Sequence, residues 1–187
     1  MVVYGMRGLT RREQAYELLA RAAAEYWGLE SLPEIKRTKA GKPYFLEVDG
    51  RTFNLSHSGE LALCALDQKA VGVDIQVVKQ WRPRLPCRVC SEQELAWLGS
   101  DDGFWPRFTL LWTLKESRVK CTGGGLREKI SEIRVPLPTG NPGPYLLDGL
   151  WFCAYEGQGW KGAACGYTPP PKEISWLDQT VKFLRQV

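Results

Sequence analysis

The sequence predicts an α+β fold built from two similar units that lie side by side. In each half of the 187-residue chain, a segment with helical periodicity is followed by segments in which apolar and polar residues alternate as in antiparallel strands. In addition, residues 63–73 and 152–163 share a Cys-Ala pair, an acidic residue, a turn containing Gln and a returning segment with Gly. We therefore divide the chain into an N-terminal unit (residues 1–76), a linker (residues 77–90) and a C-terminal unit (residues 91–187).

The N-terminal unit is predicted to contain a short strand, one helix and three further strands. Thr10 is the expected N-cap of the helix, Glu13 completes a capping box with it, and Gly28 ends the helix. The strand-like segments after the helix are residues 52–59, 61–67 and 70–76. The last two of these are expected to be joined by a turn at residues 67–69.

The C-terminal unit is predicted to contain a short helix, a long helix and a set of strands. Ser91 is the expected N-cap of the short helix, with Glu94 at the capping-box position. The long helix covers residues 104–121 and ends at a run of glycines. The expected strands are residues 129–135, 150–156 and 160–167.

The composition is that of a globular cytosolic protein. Hydrophobic residues make up 44% and charged residues 25% of the chain, and neither a secretory signal nor a membrane-length apolar run is present. The six cysteines are therefore expected to be reduced thiols. A zinc site is disfavoured, because the one C-x-x-C pair, Cys87 and Cys90, has no second pair and His57 is the only histidine.

The linker carries a concentrated positive charge. The net charge of the chain is +4, and the excess falls in residues 77–187. Within the linker, Lys79, Arg82, Arg84 and Arg88 have no acidic residue among them. Two interpretations are open: a solvated connector, or a docking surface for an acidic partner.

The long helix carries two stripes of different character. Leu110, Leu114, Ser117 and Cys121 are predicted to face the core. A second stripe on the flank of that face contains Trp112, Glu116 and Lys120. The helix alone leaves two alternatives for Glu116 and Lys120, a stabilising surface ion pair or part of a functional site.

Two strands present polar residues that suit a phosphate-containing ligand. In residues 70–76, Asp74 and Gln76 point away from the apolar face, and with Glu116 they offer oxygen ligands for Mg²⁺; a strand-end Asp bonded to backbone amides is the alternative. Ser56 and His57 are adjacent and face opposite ways, so they do not form a nucleophile–base pair, but both suit phosphate contacts. Lys42 lies on a tight turn, and no P-loop is present.

Four motifs occur in a specific order along the chain. They are GKPYF at 41–45, FNLSHSG at 53–59, VGVDIQ at 71–76 and W-T-L-K-E-S-x-x-K-x-x-G-x-G-L at 112–126. In this order they resemble the motifs of 4′-phosphopantetheinyl transferases of the surfactin-synthetase-activating type. The resemblance extends from about residue 4 to about residue 176.

This resemblance implies a monomeric pseudodimer of two similar α+β halves with coenzyme A (CoA) in the cleft between them. It implies transfer of phosphopantetheine from CoA to a serine of an acyl or peptidyl carrier protein, with release of 3′,5′-ADP. Neither nucleic acid nor a membrane is an expected partner. The carrier, whether of fatty acid, polyketide or nonribosomal peptide synthesis, is not specified.

The same resemblance assigns roles to individual residues. Asp74 and Glu116 would hold Mg²⁺ on the CoA pyrophosphate, Lys120 would bind that pyrophosphate, and Glu116 would be the general base. Gln76 is a third candidate Mg²⁺ ligand because of its position on the same strand face as Asp74. Lys42, Ser56 and His57 would bind the nucleotide end and its 3′-phosphate. Two departures from the family pattern bear on these roles: Gln76 replaces a frequent third carboxylate, and Gly124 replaces a frequent lysine. Because the segment before the first helix is short, Arg12, together with Arg11, is our replacement for the basic residues that longer members place there.

Three other classes of protein compete with this interpretation. A non-catalytic nucleotide- or nucleic-acid-binding module would account for the basic second half, but the aromatic residues are not interleaved with a basic stripe. A serine hydrolase lacks its nucleophile-elbow motif here. A catalytically inactive relative that binds CoA is compatible with Gln76.

Overall fold

The computed structural model describes residues 1–39, 41–46, 48–124, 129–141 and 143–177. The first part of the chain forms β1 (Val2–Arg7), α1 (Gln14–Trp27), β2 (Ile35–Arg37), β3 (Pro43–Phe45), β4 (Thr52–Ser58) and β5 (Leu61–Asp67). The second part forms β6 (Val71–Val77), α2 (Leu85–Val89), α3 (Glu92–Leu98), α4 (Phe104–Thr122), β7 (Tyr145–Leu147), β8 (Leu150–Gly157), β9 (Trp160–Gly166) and β10 (Ser175–Trp176). The α+β class is thereby confirmed.

Two four-stranded sheets share a three-stranded core of the same topology, and their fourth strands, β10 and β7, lie at opposite edges of that core. The first has the order β10-β1-β5-β4 and the second β6-β9-β8-β7, while β2 and β3 form a separate hairpin. In each unit a first strand precedes a helix, an antiparallel hairpin follows, and the last hairpin strand pairs antiparallel with the first strand. Thus β1, α1, β4 and β5 correspond to β6, α4, β8 and β9, which agrees with the predicted pair of similar units.

The sheets divide the chain differently from the predicted ranges. The strand β6 pairs with β9 and so belongs to the second sheet, whereas β10 pairs with β1 in the first. The similarity between residues 63–73 and 152–163 does not reflect two equivalent hairpins. Residues 152–163 lie in the β8–β9 hairpin, whereas residues 63–73 span β5 and the start of β6. Strand β5 pairs with β4 and β1, and it does not pair with β6. Alternation within a strand identifies its buried face and carries no information about its partner strand.

Two further local predictions were wrong. The first helix begins at Gln14, and the side-chain oxygen of Gln14 accepts hydrogen bonds from the backbone N–H groups of Thr10 and Arg11, in place of a Thr10–Glu13 capping box. Residues 129–135 form a 3₁₀ turn at Ile130–Glu132 and an irregular segment in place of a strand. Ile133 and Val135 are nevertheless buried against α4. The alternation of apolar and polar residues in this segment therefore reflects burial of one face, and it does not reflect pairing with another strand.

Several boundaries agree with the prediction. The capping box of α3 joins Ser91 and Glu94 in both directions. Gly28 and Gly123 end α1 and α4 with positive φ, where a residue without a side chain is favoured. On α4, Leu114, Ser117 and Cys121 are buried as expected, whereas Leu110 is only half-buried.

Three apolar clusters place the elements in layers. One lies between α1 and the first sheet, a second between the two sheets, and a third between the second sheet and α4. The layer order is therefore α1, first sheet, second sheet, α4. All six cysteines are free thiols, and only Cys87 among them is exposed. None of the described helices is both long enough and apolar enough to cross a membrane.

Strands β4 and β6 meet along a polar seam, which we define as the contact of Asn54, Ser56 and Ser58 with the free edge of β6. The side-chain oxygens of these three residues accept hydrogen bonds from the backbone N–H groups of Val73, Ile75 and Val77 at 2.9, 3.3 and 3.0 Å, with a constant offset of 19 residues. Side chains thus satisfy an edge that would otherwise leave unpaired backbone donors. The seam joins the two units.

Candidate active site

Three predicted site residues converge where α4 crosses β6. Gly72 makes this close approach possible, because a Cβ atom added there would lie 2.0 Å from the carbonyl oxygen of Ser117. The helix therefore packs directly on the strand backbone. Glu116 and Lys120, one turn apart on α4, then lie beside Asp74, two residues after Gly72.

Asp74 is buried, with 2% of its surface exposed, and its two oxygens differ in surroundings. Oδ1 accepts a hydrogen bond from the Ser56 hydroxyl at 2.7 Å and pairs with the Lys120 ammonium at 2.6 Å. Oδ2 accepts one hydrogen bond, from the amide nitrogen of Gln76 at 3.2 Å. Asp74 thus has one saturated oxygen and one with room for a further partner.

Glu116 is a half-buried carboxylate without a direct partner. No described residue donates a hydrogen bond to it or forms an ion pair with it. Burial raises its pKa, the negative charge of Asp74 raises it further, and Lys120 opposes both effects. Two carboxylates therefore share one ammonium, and the surplus negative charge lies at Glu116.

This donor set fits a divalent cation that receives other ligands from a substrate. Asp74 and Glu116 are hard oxygen donors, and the Lys120 ammonium at 2.6 Å shows that a positive charge is favourable at Asp74. Gln76 lies on the same strand face, with its amide nitrogen directed at Asp74. Among the described residues, no group of three or more His, Cys, Asp or Glu side chains could hold a metal ion alone.

Arg12 adds positive charge at the side of the N-terminal unit, close enough to His57 to affect its titration. His57 is exposed, and its pKa is lowered by partial burial and by the positive charges of Arg12 and Lys120. His57 therefore lies within electrostatic range of both Arg12 and Lys120, and these two positive charges suit a phosphate-rich ligand. Ser56 faces the other way into the seam and is buried, so the predicted separation of Ser56 from His57 is confirmed.

Lys42 has an unexpected environment. Its ammonium donates to three backbone carbonyl groups, those of Lys120 at 2.6 Å, Cys121 at 3.2 Å and Val71 at 3.3 Å. Burial lowers its pKa. Lys42 thus connects the turn of the β2–β3 hairpin to the end of α4 and the start of β6.

Sequence reasoning missed a second ion pair on α4. Lys115 is 1% exposed and donates to the Glu94 carboxylate at 2.7 Å and to the carbonyl oxygens of Val89 and Ile130, each at 2.9 Å. The available signal was its position four residues after Leu111, on the buried side of the helix. Asn54 was also missed, and its position two residues before Ser56 on the same strand face was the corresponding signal.

Cavity size does not locate this site. A cavity of about 750 Å³ lies near the start of α4 and the β8–β9 turn, where its lining includes Trp97, Leu110, Trp160 and Trp176. None of the predicted site residues lines it. The candidate site is identified by its charges and contacts.

Comparison with known proteins gives a family match. The model of the 4′-phosphopantetheinyl transferase superfamily matches residues 70–168, more than half of the chain. The chain is 33% identical over 145 residues to "4′-phosphopantetheinyl transferase Sfp" of Bacillus subtilis (strain 168), which covers 73% of this chain and 65% of that protein. It is 33% identical over 123 residues to another Bacillus subtilis 4′-phosphopantetheinyl transferase, covering 64% and 55%, respectively.

A third relative extends the comparison to another bacterial group. The chain is 38% identical over 109 residues to "4′-phosphopantetheinyl transferase AcpT" of Escherichia coli O157:H7, covering 55% of each protein. The chain thus spans less than two thirds of the length of each of these three relatives.

Proposed function

The chain belongs to the 4′-phosphopantetheinyl transferase superfamily, and on that premise we propose that it transfers 4′-phosphopantetheine from CoA to a serine hydroxyl of an acyl or peptidyl carrier protein. The observation that carries this proposal is the convergence of Asp74 on β6 with Glu116 and Lys120 on α4, beside Ser56 and His57 of β4. The released product is 3′,5′-ADP.

The reaction exchanges one P–O bond for another. The serine oxygen bonds to the phosphorus that carries the pantetheine arm, and the bridging P–O bond to the nucleotide breaks, so 3′,5′-ADP leaves with the electron pair. The serine proton moves to the Glu116 carboxylate. Glu116 suits this role because it has no competing hydrogen-bond donor and its pKa is raised, which increases its basicity.

Lys120 and the candidate metal ligands would neutralise the pyrophosphate. In the protein without ligand, the Lys120 ammonium contacts Ser56, Asp74 and the carbonyl oxygen of Val73. Because 26% of the Lys120 side chain is exposed, a pyrophosphate oxygen can approach the ammonium and accept a hydrogen bond from one of its N–H groups. Asp74 and Glu116, with Gln76, would hold Mg²⁺, which when bound supplies Lewis-acid neutralisation of the phosphates.

The nucleotide end of CoA would extend toward the first unit. Arg12 and His57 are the side chains that we propose for the 3′-phosphate, since both are exposed and His57 lies near both Arg12 and Lys120. Ser56 supports this end of the site indirectly, because its hydroxyl is used to hold Asp74. Since one chain supplies both units of the site, we propose that it acts as a monomer, in the cytoplasm, where CoA is available.

The linker offers a surface for the carrier. Arg82, Arg84 and Arg88 are exposed, and together with Pro83 and Leu85 they line a concavity of about 460 Å³. These arginines form no ion pair among the described residues. We propose that an acidic face of the carrier docks there.

The test is a transfer assay read by intact mass. The protein is incubated with CoA, Mg²⁺ and a panel of purified apo carrier proteins, and a mass increase of one phosphopantetheine on the carrier is the expected result. An Asp74→Asn variant serves as the control for adventitious modification. Binding of CoA without any adduct on any carrier would contradict the transferase and support an inactive CoA-binding relative.

A further inference from the structure

We infer that Lys42 is a positioning residue that caps the end of α4 and thereby holds Lys120 in place, and that it is not a ligand of the CoA 3′-phosphate. The motif resemblance places Lys42 at the nucleotide end of the coenzyme. The contacts of its ammonium support another role. The kinetic and CoA-affinity arms of the test below rest on the proposed function, and the hydrogen-exchange arm does not.

The first argument is donor saturation. An ammonium group has three N–H donors, and Lys42 directs all of them at backbone carbonyl oxygens, those of Val71, Lys120 and Cys121. A phosphate could bind Lys42 only if one of these bonds were broken. The carbonyl left behind would then lose a donor in a partly buried position, which is unfavourable.

The second argument is the position of these carbonyls. Lys120 and Cys121 lie in the last turn of α4, where carbonyl groups have no partner within the helix and the helix dipole favours a positive charge. The backbone N–H of Gly123 donates a hydrogen bond to the carbonyl oxygen of Val119. The Lys42 ammonium donates to the next two carbonyl oxygens along the helix, those of Lys120 and Cys121. One side chain therefore closes the end of the helix that carries Glu116 and Lys120.

The third argument is the set of hydrogen bonds that anchor the backbone of Lys42. The backbone N–H of Thr38 donates to the carbonyl of Lys42 at 2.9 Å, and the N–H of Lys42 donates to the hydroxyl of Thr38 at 3.1 Å. Arg37 joins this turn to helix α1 by donating to Gly41 and to the Tyr16 hydroxyl. These hydrogen bonds connect α1, the β2–β3 hairpin and, through the Lys42 ammonium, the end of α4.

The Lys120 ammonium also donates three hydrogen bonds, but its acceptors differ in kind from those of Lys42. Two of its three acceptors are side chains of the site, Ser56 and Asp74, and exchanging one of them for a phosphate leaves the helix end intact. The backbone carbonyl of Lys120 is held by Lys42 while its side chain reaches Asp74. Loss of Lys42 would therefore free the backbone from which the Lys120 side chain extends.

The experiment compares Lys42→Met with Lys39→Met, which removes an exposed lysine from the same turn. Calorimetry with Mg²⁺ measures the affinity of each protein for CoA and for 3′-dephospho-CoA. We expect Lys42→Met to keep the wild-type ratio of the two affinities and to lower kcat roughly 10- to 100-fold, because small misplacements of a reacting group have effects of this size. Lys39→Met should match wild type in both respects.

Hydrogen exchange provides a readout that is independent of transfer. Amides in residues 117–124 should exchange faster in Lys42→Met and remain protected in Lys39→Met. Lys42→Gln, a neutral donor, should restore part of kcat and of the protection, and it replaces Lys42→Met should that variant fail to fold by circular dichroism. The inference would be overturned if Lys42→Met lost the wild-type preference for CoA over 3′-dephospho-CoA. It would also be overturned if Lys42→Met showed wild-type hydrogen exchange and wild-type kcat. An absence of transfer by wild type would count against the proposed function alone.

Discussion

Two ion pairs on α4 differ in how completely they are satisfied. Lys115 and Lys120 each lie close to a carboxylate, at 2.7 and 2.6 Å. Lys115 is almost fully buried, and the Glu94 oxygen that it contacts also accepts the backbone N–H of Ser91 at 2.7 Å. Around Lys120, by contrast, two carboxylates share one ammonium, and Glu116 has no direct donor among the described residues.

This difference distinguishes a structural pair from the proposed binding site. A pair that is complete within the protein has nothing left to offer a ligand, and it contributes to stability chiefly because removing one partner is costly. A pair with surplus charge is less favourable in the free protein and is completed by binding. The ion-pair distances alone would not have distinguished the two regions.

The largest expected effect is on the transfer rate of Glu116→Gln. Because the amide cannot accept the serine proton, kcat should fall roughly 10²- to 10⁴-fold. The assay is intact mass of a carrier under saturating CoA and carrier, with Glu17→Gln, an exposed glutamate of α1, as the matched control. Near-normal turnover of Glu116→Gln would return Glu116 to the surface-pair alternative.

On the structural side, Lys115→Met should lower the free energy of unfolding by about 3–5 kcal/mol, because it leaves the Glu94 charge buried without its partner. The double variant Lys115→Met/Glu94→Gln should recover most of this loss, since glutamine can still cap α3. Urea denaturation measures both. A double variant as unstable as the single one would contradict the buried-charge explanation.

A smaller effect is expected at the linker. Reversing the charge of Arg82 and Arg84 to Glu should raise the KM for the carrier several-fold and leave the KM for CoA unchanged, with a larger effect at low salt. Lys172→Glu, at an exposed lysine before β10, is the control for a change in net charge. Equal changes in both KM values would remove the docking role.

The smallest effect concerns the pH dependence of stability. The raised pKa of Glu116 means that its ionised form is less favourable in the folded than in the unfolded protein. The resulting penalty is absent below about pH 4.3, the ordinary pKa of Glu, grows as pH rises through the folded-state pKa, and is constant above it. Metal-free Glu116→Gln should therefore match wild type in acid and exceed its stability at neutral pH. Urea denaturation of both proteins across this pH range tests the prediction. A lower stability of Glu116→Gln than of wild type at pH 7 would contradict the surplus negative charge assigned to Glu116.

The sequence predicted the components of the site better than their connections. Asp74, Glu116 and Lys120 follow from strand alternation, helical spacing and the order of the motifs, because these patterns depend on local geometry. The pairing of β6 with β9 could not be predicted, since either sheet would bury Val71, Val73 and Ile75 equally well. The contacts of Lys42 and of Lys115 depend on backbone carbonyls brought close by tertiary packing, which no local pattern encodes.

The central claim is that the surplus negative charge at Asp74 and Glu116 is completed by Mg²⁺ together with CoA. Gln76 brings no charge to this site, so most remaining anionic ligands should come from the pyrophosphate. Replacing Gln76 by Glu should tighten Mg²⁺ binding without CoA by about tenfold or more, because it adds a third anionic oxygen beside Asp74.

The most direct measurement is calorimetric titration of Mg²⁺ into the protein with and without CoA. We predict weak binding to the free wild-type protein and tight binding to its CoA complex. In the same titrations, Asp74→Asn should abolish this synergy and Gln76→Ala should weaken it only slightly. Equal Mg²⁺ affinity with and without CoA, or equal damage from Asp74→Asn and Gln76→Ala, would contradict the account.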